Sequence, residues 1–206
     1  MEQLMVQIGE LSMTQLGALV TGVVYVVLAA RERPVCWVFG IVSCALIAWD
    51  DFTVFRLYAD GVLQLVYVGL GGVGLYTWLS GGREDRPGTG IHVRPAGQHL
   101  VAVAIGLLLA VPVAWLLRTY TDAAFGFLDT WTTIMSLYAT WLLIRKALGN
   151  WIFWIVIDAI YIYLFLARGG LLISLLYFVY LLVAIYGFWH WRRRLSGREI
   201  IENISK

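Results

Sequence analysis

Seven long apolar runs divide this chain, and each is about the length needed to cross a bilayer core, roughly 17–25 helical residues with a short one near sixteen. They cover Met13–Ala30, Pro34–Trp49, Asp60–Leu79, His99–Leu117, Leu128–Ile144, Trp151–Ala167 and Leu171–Trp191. A backbone crossing lipid must satisfy its own polar groups, so unbroken apolar runs of this length point to helices. Of the 206 residues 61% are hydrophobic and 14% charged, and the charges fall in the gaps between the runs. The chain is therefore expected to be an all-α polytopic membrane protein with seven transmembrane helices.

Tyr and Trp collect at the ends of the runs (Trp37, Trp49, Tyr58, Trp78, Trp151, Trp189 and Trp191), where interfacial belts are expected. Cys36 and Cys44 share one run at i, i+8, too far apart to bridge, and read as packing residues. Met1–Ser12 has Glu2 and Glu10 but no basic residue, so it lacks the n-region of a signal peptide and the first run is expected to stay. Seven spans place twelve Lys and Arg residues on one side, including Arg31, Arg94, Arg145 and Arg192. Only Arg56, Arg118 and Arg168 fall on the other. By the positive-inside rule the C-terminus is cytoplasmic and the N-terminus outside, in the inner (plasma) membrane of a cell.

The marks Arg31-Glu32-Arg33 before Trp37 return as Arg145-Lys146 before Trp151, 114 residues later. Gly74-Leu75-Tyr76-Thr77-Trp78 returns as Gly187-Phe188-Trp189-His190-Trp191, 113 residues later. Runs one to three and five to seven are thus expected to be two copies of a three-helix unit, a 3+1+3 arrangement. The fourth run restores the orientation of the second copy, which makes the repeats parallel, with a binding site between them near the midplane. The expected units are 1–82 for the first repeat, 83–120 for a cytoplasmic loop and linker helix, 121–192 for the second repeat and 193–206 for a cytoplasmic tail. The almost wholly aliphatic fourth run suits a linker that faces lipid all round.

Asp158 is the one carboxylate in the sixth run. On a helix Trp151, Trp154 and Asp158 stack on one face at i, i+3 and i+7. A charge near mid-depth is expensive, which favours a cavity, with capping of a neighbouring helix as the alternative. In the fifth run Asp129, Thr133, Ser136 and Thr140 form a polar stripe. Gln64 and Tyr67 share a face of the third run, and Asn150 and Tyr161 flank the polar positions of the sixth. Ser and Thr often serve only to join membrane helices. The amide of Gln64 has more bonds to satisfy and suits either a ligand or a neighbouring helix. Indole faces and a carboxylate together suit an aromatic cation.

Other classes fail on residues. Lys146 and Lys206 both fall at the cytoplasmic side, so there is no Schiff-base lysine within the bundle. His92, His99 and His190 lie near run ends with no HExxH, and there is no Walker A or GxSxG motif. No cofactor, metal or nucleic acid is called for, and the chain does not read as an enzyme.

The combination Thr121-Asp122, Asp129, Thr132-Thr133, Ser136-Leu137, Arg145-Lys146, Asn150-Trp151-x-x-Trp154 and Asp158 resembles the PnuC family of vitamin transporters. Leu57-Tyr58-Ala59-Asp60 and Leu63-Gln64-x-x-Tyr67 extend the likeness, which runs from about Leu16 to Arg194. The resemblance implies a fold like that of a full-length SWEET transporter. It also implies uptake of nicotinamide riboside, or in some branches thiamine or riboflavin, by facilitated diffusion, with trapping by a cytoplasmic vitamin kinase. Three positions depart from the family pattern: Gly149 where Glu is usual, Thr140 where Gln is common and Gly126 where Pro is common.

On this reading Trp151 and Trp154 stack on the ring and Asp158 balances its charge. Asn150 and Gln64 bond ribose or carboxamide, Thr133 and Ser136 line the other wall, Trp37 stacks or gates, and Tyr67 and Tyr161 complete the site. The rivals are a thiamine carrier of the same family, a proton-coupled carrier using Asp158, and a seven-helix ligand sensor. Against the sensor stand short loops and a short cytoplasmic tail. A homo-oligomer is left open.

Overall fold

The computed structural model describes residues 2–80, 90–120 and 126–204, and among these it is all helical. The helices are α1 (Glu2–Gly9), α2 (Met13–Ala30), α3 (Cys36–Asp50), α4 (Tyr58–Ser80), α5 (Ala96–Tyr120), α6 (Phe127–Ile144), α7 (Asn150–Ala167) and α8 (Leu171–Ile204). The seven apolar runs correspond to α2 through α8. Six of these helices are long and apolar enough to cross a membrane; α6 is not among them, because Asp129 and its Thr and Ser residues dilute it. Thr121-Asp122 and the loop carrying Arg83 and Arg86 lie outside the described residues.

Local chemistry sets the helix ends. Ser12 caps α2: its Oγ accepts from the Gln15 backbone N–H at 3.1 Å, while its own N–H donates to Gln15 Oε1 at 2.9 Å. α3 runs into a wider turn at Asp51–Phe55 that stops at Arg56, whose φ is 56°. Helix α1 was not anticipated from the sequence. It lies at the start of α8, where the Gln7 amide donates to the Gly169 carbonyl at 3.1 Å and accepts from the Leu172 N–H at 2.9 Å. α8 also passes the end of its apolar run at Trp191, because only polarity changes there.

α2 packs on α3 and α8, and α4 packs on α3 and α6, while α7 lies between α6 and α8. Each three-helix group thus touches the other through its first and last members. The turns into α3 and α7 match at an offset of 114. Glu32 and Lys146 both have positive φ, at 56° and 54°. The Arg33 N–H donates to Leu28 O at 3.0 Å, and the Ala147 N–H to Leu142 O at 2.9 Å.

The aromatic belt needs correction. Trp49, Tyr58 and Trp189 are exposed, but Trp37, Trp78, Trp151 and Trp191 are no more than 4% exposed and join one buried cluster. Two glycines make room for them. A Cβ on Gly74 would stand 2.5 Å from the Trp37 indole, and one on Gly187 would stand 2.7 Å from that of Trp151. Trp37 then meets Trp78 edge-on at 5.6 Å, and Trp151 meets Trp191 edge-on at 5.4 Å. Across the groups, Trp78 Nε1 donates to Ile144 O at 3.1 Å and Trp191 Nε1 to Ala30 O at 3.0 Å. These are terminal carbonyls of α6 and α2, which lack a partner in their own helices.

Helix α5, expected to be the linker, also departs from expectation. It does not face lipid all round, because Gly106, Ala110 and Ala114 form a small-residue stripe at i, i+4 and i+8 that is buried. Met135 of α6 sits against Gly106, where any Cβ would collide with it. His99, Ala102 and Val103 are partly buried, and most of the other described positions of the helix are exposed.

Candidate functional site

Between the two groups lies a cavity of about 270 Å³, near the lower end of the size range for small-molecule sites. Nine of the ten residues singled out from the sequence line it: Trp37, Gln64, Tyr67, Thr133, Ser136, Trp151, Trp154, Asp158 and Tyr161. Asn150 is not among the lining residues. It is fully buried as the first residue of α7, where its amide nitrogen donates to Ala147 O, in the turn before the helix, at 2.7 Å. Asp129, on the expected stripe, is also absent from the lining and is paired instead with Arg168 at 2.6 Å.

The backbone explains this selection. Trp151, Trp154 and Asp158 share one face of α7 because helical spacing repeats at three to four residues. Ser136 and Thr140 share a face of α6 for the same reason. The hydroxyls on that face are turned back onto their own helix: Thr133 Oγ1 donates to Asp129 O at 2.9 Å, Ser136 Oγ to Thr133 O and Thr140 Oγ1 to Ser136 O, both at 2.8 Å. Their protons are engaged, so they offer the cavity acceptor lone pairs.

Asp158 is 2% exposed, lines the cavity and makes no hydrogen bond to any described residue. Neither ion pair among the described residues includes it, and no Lys, Arg or His lines the cavity. Gln64 likewise makes no hydrogen bond within the described structure and keeps its amide for the cavity. The buried cluster that contains Trp37, Trp78, Trp151 and Trp191 adjoins the cavity through Trp37 and Trp151, which belong to both. The indole N–H groups of Trp37 and Trp151 are both buried without a partner.

The lining follows the offsets seen in the sequence. Offsets of 114 and 113 pair Gly22 with Ser136, Val26 with Thr140, Gly40 with Trp154 and Cys44 with Asp158. They also pair Ile47 with Tyr161, Gln64 with Tyr177 and Tyr67 with Tyr180, and all of these residues line the cavity. Tyr177, Tyr180 and Cys44 were missed from the sequence, although the same offsets applied to Gln64, Tyr67 and Asp158 point to them. The α6–α7 wall carries Ser136, Thr140, Trp154 and Asp158, where the α2–α3 wall carries Gly22, Val26, Gly40 and Cys44. The site is built on matched backbones but is chemically one-sided.

A multi-helix membrane protein holding an unpaired carboxylate and aromatic walls in a central cavity has the construction of a small-molecule carrier. Residues 12–193 match the family described as nicotinamide mononucleotide transporter, and the chain belongs to that family of membrane transporters. It is 29% identical over 199 residues to the nicotinamide riboside transporter PnuC of Neisseria mucosa, covering 88% of this chain and 73% of that protein. It is 23% identical over 214 residues to the nicotinamide riboside transporter PnuC of Escherichia coli, covering 92% and 88%. It also resembles the crystal structure of the vitamin B3 transporter PnuC, with a TM-score of 0.71 and 26% identity over 88% of this chain and 81% of that one. Family members of this kind are transporters and not enzymes.

Proposed function

We propose that this protein carries nicotinamide riboside across the membrane by facilitated diffusion. The observation that carries the reading is Asp158: it is the cavity's only acidic or basic side chain, and nothing in the described protein neutralises it. A carboxylate taken out of water without a partner is strongly unfavourable, so the cargo supplies the positive charge. The pyridinium of the riboside does so, with Trp151 and Trp154 offering faces for the flat ring. A nucleotide is disfavoured, because its phosphate would enter a cavity that holds a carboxylate and no Lys or Arg. The names of the relatives support the riboside as well.

Gln64 provides both donor and acceptor for the carboxamide or ribose, and Thr133 and Ser136 supply acceptors opposite. Asn150 stands behind Trp151 as a positioning residue. The matched turns and Trp–Gly pairs support a parallel 3+1+3 arrangement of seven spans, with α5 as the linker between units 1–82 and 121–192. The basic residues support a cytoplasmic C-terminus and an outside N-terminus in the inner membrane. Since a uniporter only equilibrates its cargo, a cytoplasmic vitamin kinase is the partner that makes uptake net.

Purified protein should bind nicotinamide riboside saturably, bind the mononucleotide at least tenfold more weakly, and equilibrate labelled riboside into liposomes without ATP or an ion gradient. Thiamine, also a flat cation, is the competing cargo. Tighter binding of thiamine than of the riboside reassigns the substrate, and accumulation driven by a proton gradient rules out facilitated diffusion.

A further inference from the structure

Two tyrosines occupy matched positions in the cavity wall, Tyr67 on α4 and Tyr180 on α8, and their hydroxyls meet different surroundings. Tyr67 Oη is hydrogen-bonded to Ser136 Oγ. The Ser136 proton already goes to the Thr133 carbonyl, so Tyr67 is the donor and its proton is engaged within the protein. The residue matching Ser136 is Gly22. There the Tyr180 hydroxyl lies over bare backbone, and a Cβ on Gly22 would stand 2.6 Å from it. The neighbouring Ser43 hydroxyl donates to Ala18 O at 2.8 Å and makes no hydrogen bond with Tyr180. Tyr180 Oη makes no hydrogen bond to any described residue, and its ring lines the cavity. Tyr180, Asp158 and Cys44 all line the same cavity.

We propose that Tyr180 is a specificity-determining residue that donates its hydroxyl proton to an oxygen of the cargo next to the cationic ring, while its counterpart Tyr67 serves the scaffold. This rests on the reading of the cavity as the cargo site. The difference originates in one residue: the chain has Gly22 where the second repeat has Ser136. A hydroxyl on a membrane-buried ring needs an acceptor, and no described residue accepts from Tyr180, which leaves its proton for a cargo oxygen in the cavity it lines.

The test compares two probes, nicotinamide riboside and N-methylpyridinium, a bare cationic ring with no oxygen. Binding is titrated on purified, monodisperse wild type, Tyr180→Phe and Tyr67→Phe. Tyr180→Phe is expected to weaken the riboside about three- to tenfold, the range of one neutral hydrogen bond, and to leave N-methylpyridinium within about twofold. Tyr67→Phe should lower the melting temperature and weaken the riboside less than Tyr180→Phe does. If Tyr180→Phe does not fold, Gly22→Ser, which sets a side chain against the hydroxyl and draws it from the cargo, should show the same selective loss. Equal losses for both probes in the Tyr180 variant, or a larger riboside loss in Tyr67→Phe, overturn the assignment. Wild-type protein that binds no riboside overturns the proposed function and this inference with it, whereas wild-type binding with equal losses overturns this inference alone.

Discussion

Replacing Asp158 by Asn separates a cargo site from a scaffold position, because the two readings predict opposite signs for stability. The substitution keeps the size and hydrogen-bonding capacity of the side chain and removes the charge. At about 4 Å and an effective dielectric of about 20, a carboxylate and a cation attract by roughly 4 kcal/mol. Dehydrating both groups offsets part of this, and charged hydrogen bonds and pairs end up contributing about 1.5–3 kcal/mol. At about 1.4 kcal/mol per tenfold, Asp158→Asn should weaken riboside binding roughly ten- to hundredfold. The empty protein should gain, because a carboxylate that is 2% exposed and has no partner among the described residues is removed from the interior. Thermal unfolding in detergent measures both effects. Ligand at 100 times the wild-type Kd stabilises wild type by about 2.7 kcal/mol, and a hundredfold weaker variant by only about 0.4 kcal/mol. The Asn variant should therefore melt higher than wild type when empty and shift far less on adding riboside. A variant that melts lower when empty and binds riboside as tightly as wild type would refute the assignment and leave Asp158 as scaffold.

Trp78→Phe and Trp191→Phe keep a ring in the buried cluster but remove the donor to Ile144 O or Ala30 O. Each should lower stability by about 1–3 kcal/mol for the buried carbonyl left behind, and by similar amounts, because the two bonds are matched; a neutral result for either in thermal melts argues against the pairing. Arg168→Gln breaks the 2.6 Å pair with Asp129, but the Arg side chain is 52% exposed. The stability loss should stay below about 1 kcal/mol, and riboside affinity should not change, since neither residue lines the cavity.

Much of this was legible because a bilayer restricts what a chain can do. Run lengths fixed α2 to α7 to within a few residues, and helical spacing placed Trp151, Trp154 and Asp158 on one lining face. What failed depended on contacts between runs. Tryptophans at run ends read as an interfacial belt, but Gly74 and Gly187 open slots that bury Trp37 and Trp151, and no period within one helix reveals that. Asn150 belongs to the same NWxxW motif as the lining residues, yet it starts the helix and its amide closes a turn to Ala147. The packing face of α5 was hidden because Gly106, Ala110 and Ala114 look merely aliphatic until Met135 is seen to fill the notch.

Residues matched at offsets of 114 and 113 carry a distinction that neither half shows alone. Three pairs identical in both halves, Trp37 and Trp151, Gly74 and Gly187, Trp78 and Trp191, build the buried tryptophan cluster, and a fourth, Tyr67 and Tyr180, lines the cavity. Positions that differ, Gly40 and Trp154, Cys44 and Asp158, Gly22 and Ser136, face the empty volume. The matched cluster joins the two groups through reciprocal bonds, from Trp78 Nε1 to Ile144 O and from Trp191 Nε1 to Ala30 O. A small cationic vitamin has no twofold symmetry, so a symmetric lining would either duplicate the carboxylate or leave the ring with no preferred wall. Two carboxylates facing each other across so small a cavity would repel, and one cationic cargo could neutralise only one of them. Confining Asp158 and Trp154 to the second repeat gives the cargo one orientation, while Gly22, Gly40 and Cys44 of the first leave room for it.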